Sequence, residues 1–170
     1  MTASPQDNLV DWLRDAHAME AQAEKMLTAQ AARLEHYPRL RQRIEQHIRE
    51  TQEQRQVLEG CLSRLGSSPS TLKDMGGKLM ALGQAIGGAP MSDEVIKGAI
   101  SGYVFENLEI ATYSVLIAAA AALGDHETQQ ACERIREQEQ AMAAWLLDDL
   151  PATTRAFLER SADPDLTAKR

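Results

Sequence analysis

Apolar residues recur every three or four positions along most of the chain, the spacing of a helix with one inward face. Leu9, Leu13, Ala16, Ala23, Leu27 and Leu34 mark the first such stripe and predict a helix from about Asp7 to Leu34. His36-Tyr37-Pro38 ends it. Pro38 suits the first turn of a second helix, where its missing amide hydrogen is not needed. The inward positions of that helix read Leu40, Ile44, His47, Val57, Leu58, Cys61 and Leu65, and Gly66-Ser67-Ser68-Pro69 closes it. Two long helices joined by so few residues are expected to pair as an antiparallel hairpin. Ser70 to Ala89 contains five glycines and reads as an interrupted helical crossover. Ser92, with Asp93 and Glu94 behind it, starts a third helix that runs to about Leu123. Gly124-Asp125 breaks the pattern, and a fourth helix follows from about His126 to Leu150, where Pro151 stops it. Ala152 to Arg160 forms a short final helix, and Ser161 to Arg170 is a polar tail expected to fray. The prediction is an all-α four-helix bundle over residues 1–160, made of two antiparallel hairpins with one long connection, followed by the tail 161–170.

Composition agrees with this pattern. Hydrophobic residues make up 44% and charged residues 25%, but aromatics only 4%, and an all-β fold is excluded. A formal charge of -7 repels phosphate backbones and anionic lipid, which argues against nucleic acid and membrane surfaces as partners. No bilayer-spanning run is apparent, and Met1 to Leu13 carries acids where a signal peptide has basic and then apolar residues, so a cytoplasmic protein is expected. Cys61 and Cys132 lie in helical stripes, outside any CxxC spacing, and read as two small core thiols.

The inward stripes carry an anomaly: each is interrupted by acid. Glu20 falls on the first, Glu50 on the second, Glu106 and Glu109 on the third, and Glu139 on the fourth. Glu20 and Glu50 are 30 residues apart, as are Glu109 and Glu139, and the two pairs are offset by 89. In this echo His17 corresponds to Glu106 and His47 to Arg136, as in two related hairpins. The midpoint of the first pair is Glu35 and that of the second Gly124, both at or beside turns, so each hairpin is expected to hold its two carboxylates at one height. Burying them costs several kcal/mol per charge, and they repel one another. No lysine or arginine falls on the stripes at that height. Two metal ions bridged by acids from four helices would neutralise the cluster, and oxygen-rich donors with one or two histidines suit iron or manganese. The expected ligands are Glu20, Glu50, Glu109 and Glu139, completed by Glu106 and His47. Tyr113, four residues after Glu109, reads as core packing with a satisfied hydroxyl or as a donor to a metal-bound carboxylate.

The chain also resembles a known family. Asp11-Trp12-Leu13-Arg14-Asp15-Ala16-His17-Ala18-Met19-Glu20, Ile44-Glu45-Gln46-His47, Glu50-Thr51, Ser101-Gly102-Tyr103-Val104-Phe105-Glu106 and Glu109-Ile110-Ala111 are similar to the YciE and YciF group of ferritin-like bacterial stress proteins, most of all to its YciE members. The resemblance covers nearly the whole chain. It implies a ferritin-like bundle with an extra helical crossover, a homodimer, and a stress role in the bacterial cytoplasm. Ferritin-like di-iron enzymes carry Glu-x-x-His on two helices. Here the second helix has His47-x-x-Glu50 and the fourth Glu139-x-x-Met142, while Glu106-x-x-Glu109 resembles the rubrerythrin-type pattern.

Two functions follow as expectations. In one, a dinuclear iron or manganese centre oxidises iron or removes peroxide. In the other, the bundle is a structural or interaction protein whose site has decayed. DNA protection of the kind performed by small ferritin-like shells conflicts with the acidic charge.

Overall fold

A computed structural model describes residues 4–69, 91–163 and 165–168. They form four helices: α1 (Pro5–Ala31), α2 (Pro38–Arg64), α3 (Glu94–Ala122) and α4 (His126–Ala162). The expected crossover lies outside the described residues. Helix α1 starts with a reciprocal cap, in which the Ser4 hydroxyl accepts from the Asp7 amide while the Asp7 carboxylate accepts from the Ser4 amide. Pro38 occupies the first turn of α2, as its fixed φ predicts. At the ends of α2 and α3 the chain turns through Gly66 and Gly124, whose φ values of 72° and 70° favour glycine. In both, the next amide reaches back five residues, Ser67 to the Leu62 carbonyl and Asp125 to that of Ala120. Asp125 then caps α4 by accepting from the Thr128 amide. Helix α3 begins one residue later than expected; Asp93 rather than Ser92 takes the cap position, and its carboxylate pairs with Lys97 instead of a backbone amide.

Pro151 does not stop the last helix. Helix α4 continues through it for 37 residues in all, so there is no separate C-terminal helix. A proline removes one backbone hydrogen bond and crowds the preceding turn. Here tertiary packing outweighs that cost: Leu146 is buried beside Phe157 and Ala156, and the buried Thr153 hydroxyl donates to Asp149 across the proline. The tail is not simply frayed either, since the Tyr37 hydroxyl donates to the Ala168 carbonyl and Arg160 donates to that of Thr167.

Helices α1 and α2 pack as one hairpin and α3 and α4 as the other, with α1 beside α3 and α2 beside α4. Two apolar clusters fill the interior. One gathers Leu9, Leu13, Leu58, Leu62, Leu116 and Ile135 towards the start of α1. The other gathers Leu27, Leu34, Leu40, Ile44, Val95 and Leu146 around the α1–α2 turn. The charged residues of interest lie between them.

By length and composition α3 could span a bilayer, with a mean hydropathy of 1.3 over its most apolar stretch, contrary to the expectation that no such run exists. Midway along it, however, Glu106 and Glu109 turn into the bundle. Its remaining surface carries no charge from Gly98 to Gly124, and Ile100, Val104 and Val115 are half exposed.

Candidate metal centre

Four helices bring His47, Glu20, Glu106, Glu109 and Glu139 into the dry space between the apolar clusters, each less than 3% exposed. His47, Glu106, Glu109 and Glu139 each offer one donor atom within 4.8 Å of the others, a group able to hold a cation. His47 Nε2 lies 3.2 Å from carboxylate oxygens of both Glu106 and Glu139, and Nδ1 lies 2.7 Å from Glu50. Burial opposes charge on this ring, but the hydrogen bonds to Glu106, Glu139 and Glu50 prevail and raise its pKa well above the usual imidazole value. Without a metal these contacts favour the protonated ring, and an ion bound at Nε2 would have to displace that proton.

One protonated ring does not balance four buried carboxylates. Both oxygens of Glu109 and one of Glu20 meet no N–H or hydroxyl donor, and one oxygen each of Glu106 and Glu139 has only the ion contact with His47. The electrostatics register the imbalance. Burial, with repulsion from Glu139, pushes Glu20 up to about 8, although the Tyr113 hydroxyl and His47 partly offset it. Glu139 rises to about 7 through burial, moderated by His47. Glu109 is raised well above the carboxylate range by burial and by the charges of Glu20, Glu139 and Glu106. A divalent or trivalent cation would remove this penalty, and the donor set of four carboxylates and one imidazole fits iron or manganese.

Two side chains complete the surroundings. The fully buried Tyr113 hydroxyl donates to Glu20 Oε1, and burial next to that carboxylate raises its pKa well above a normal phenol. Gln54, also buried, donates one amide hydrogen to Glu139 Oε1 and another to Gln138. The sequence reading missed Gln54, although its seven-residue spacing from His47 places both on one face.

Glu50 does not join the cluster. Its side chain is 19% exposed and accepts from His47 Nδ1, from Arg43 at 3.2 Å and from Gln46 at 2.8 Å. The His47 bond, aided by Arg43, holds its carboxyl down at about 2. The stripe of α2 keeps the expected Leu40, Ile44, His47, Leu58 and Cys61 but takes Thr51 in place of Glu50, adds Gln54, and leaves Val57 38% exposed. His17 stands outside the group, bonding Glu59 on α2 at 2.8 Å. Charge from arginine also reaches the site's edge: Arg55 pairs with Glu24 at 2.6 Å and favours ionised Glu20.

Comparison with known proteins bears on the fold and family. Residues 4–159 match the family model described as a domain of unknown function, DUF892. The crystal structure of protein XCC3681 from Xanthomonas campestris is 43% identical, with a TM-score of 0.81 over 94% of this chain and 100% of that one. The Escherichia coli stress protein YciF has a TM-score of 0.76 at 19% identity, over 86% and 94% of the two chains. A Desulfovibrio desulfuricans bacterioferritin, described with a diiron site, superposes with a TM-score of 0.73 at 21% identity, over 91% and 86%. At these identities the last two establish the ferritin-like fold alone.

Proposed function

Since the chain belongs to the DUF892 family, a YciF-like group, we propose that it binds a dinuclear iron or manganese centre at mid-bundle and serves a bacterial stress response from the cytoplasm, nearest in role to the YciE members. The observation that carries this reading is Glu109, buried with both carboxylate oxygens lacking a donor and with three further acids around it. Glu106, Glu109, Glu139 and His47 would hold one ion, and Glu20 and Glu109 are the donors available to a second. A bound pair supplies one-electron redox chemistry, such as oxidation of iron or removal of peroxide, that these side chains lack.

The chain's own residues supply positioning. Gln54 fixes one oxygen of Glu139 and leaves the other free for an ion. The Tyr113 hydroxyl does the same for Glu20 and holds a proton at the carboxylate's edge. Glu50 accepts from His47 Nδ1, which orients the ring and leaves Nε2 directed at the cluster, the arrangement usual behind a metal-bound histidine. In this reading Glu50 is a positioning residue rather than a ligand. Phe105, beside Glu106 in the chain, and Ile135 and Met142, one turn to either side of Glu139, belong to the buried apolar clusters.

The test is elemental analysis of protein loaded with iron and, separately, with manganese. Two ions per chain are expected; fewer than one per several chains would overturn the proposal. A second reading, a structural bundle with a decayed site, is favoured by His47, whose ring already lies between Glu106 and Glu139 without metal. It requires that Glu109→Gln leave the melting temperature unchanged in metal-containing buffer. In either reading we assign homodimer formation to the uncharged outer stripe of α3, so Val104→Glu is expected to shift sedimentation from dimer to monomer.

A further inference from the structure

Helices α2 and α4 run antiparallel, and their register is tied at two levels. Gln54 donates to Glu139 in the middle, and Arg64 donates to Asp125 at 2.7 Å and to the Thr128 hydroxyl near the end. Seven residues beyond Gln54 on α2 is Cys61; seven residues before Glu139 on α4 is Cys132. Seven residues are almost two full turns, about 10 Å of rise, so the two cysteines take the same face and height relation as the bonded Gln54 and Glu139. Both are free thiols buried in one apolar cluster, 6% and 0% exposed. The Cys61 thiol also reaches across to Thr128, one turn from Cys132, and a charge on Cys61 would be felt at Cys132.

We propose that Cys61 and Cys132 are a redox-active pair that a hydroperoxide converts into an intrachain disulfide, joining α2 to α4 two turns below the carboxylate cluster. The reaction balances without further reagents. The sulfur of Cys61, having lost its proton, attacks one peroxide oxygen; the O–O bond breaks and water or alcohol leaves, giving a sulfenic acid on Cys61. The sulfur of Cys132, its proton lost in turn, attacks the Cys61 sulfur and expels the hydroxyl as water. Two thiols lose two electrons and two protons to one hydroperoxide. Burial raises the Cys61 thiol, but Thr128 and the Arg64 guanidinium partly offset it, whereas burial pushes Cys132 up to about 12, so Cys61 is the first to react. Burial raises both thiols, so the reaction is slow at neutral pH and faster at pH 9. The link would hold Gln54 and Glu139 at a set spacing.

The experiment uses the full chain stripped of metal by a chelator, so that its result is independent of the proposed metal centre. Protein is exposed to hydrogen peroxide at pH 7 and pH 9, unfolded in N-ethylmaleimide, and analysed by non-reducing peptide mass spectrometry; diamide, a thiol oxidant that transfers no oxygen, serves as a second reagent. The expected result is loss of both alkylatable thiols in step, a mass lower by two hydrogens, a linked peptide pair containing Cys61 and Cys132, and recovery with dithiothreitol. The linked chain should also melt several degrees higher than the reduced one, because closing a long loop restricts the unfolded chain. Sulfinic or sulfonic acid on Cys61 with Cys132 still alkylatable, disulfides between chains, or thiols that stay free under both reagents would overturn the proposal. Cys132→Ser should abolish the linked peptide and the dithiothreitol-reversible rise in melting temperature.

Discussion

The two hairpins carry the same acids at the same spacing but use them differently. In α3–α4, Arg136 meets Ser114, a pair equidistant from Asp125, one residue from the expected midpoint, and both Glu109 and Glu139 point into the core. In α1–α2, His17 meets Glu59 and Glu24 meets Gln52, and both pairs are equidistant from Pro38 rather than Glu35. That shift places Glu50 opposite Met26, about 9 Å along α1 from Glu20, and brings Gln54 towards the level of Glu20. Glu50 and Glu139 are counterparts in sequence, yet one is held down at about 2 by His47 and Arg43 while the other is pushed up to about 7 by burial. The lesson is that one hairpin presents three buried carboxylates and the other presents one carboxylate and a histidine backed by its own acid. Equal spacing does not make equal ligands.

The sharpest way to break the comparison is to change the counterparts in turn. Glu139→Gln, like Glu109→Gln, should lower metal affinity by a hundredfold or more and abolish the metal-dependent rise in melting temperature, worth about 2.7 kcal/mol at a hundred times the dissociation constant. His47→Ala should cost about 3 kcal/mol in metal-free protein, measured by urea unfolding, because Glu106 and Glu139 lose the cation between them. Glu50→Gln should be milder, about a tenfold loss of metal affinity by titration, since it acts only through the His47 ring. Should Glu50→Gln prove as severe as Glu139→Gln, the two hairpins are equivalent after all.

A further expected effect is in pH dependence. Burial pushes Glu20 up to about 8 and Glu139 up to about 7, against an ordinary 4.5. The folded state therefore keeps protons that the unfolded state releases. Their stabilising contribution is complete below about pH 4.5 and is lost as pH rises through 7 to 8. In chelator, the melting temperature should fall between pH 6 and pH 9. With metal bound the trend should reverse, because deprotonated ligands bind better.

The order and pairing of the four long helices were legible in the stripes, because a 3.6-residue period and the breaks at Pro38, Gly66 and Gly124 are local properties of the chain. So was the presence of acid on the inward faces of α1, α3 and α4, since Glu20, Glu106, Glu109 and Glu139 interrupt otherwise apolar seams. Rotation and level of α2 were not. Its stripe offers Glu50 or Thr51 as neighbouring candidates and admits both Val57 and Leu58, and only contact with α1 and α4 selects Thr51 and turns Val57 out. The six residues between α1 and α2 set the register of that hairpin, and a loop's path has no period to read. Pro151 is the complementary case: local chemistry alone ends the helix there, and buried neighbours on both sides carry it through. What the sequence determines by itself is whatever depends on neighbours within about a turn. Which carboxylate meets which, and which histidine lies between them, depends on residues far apart in the chain, and only packing of the four helices decides it.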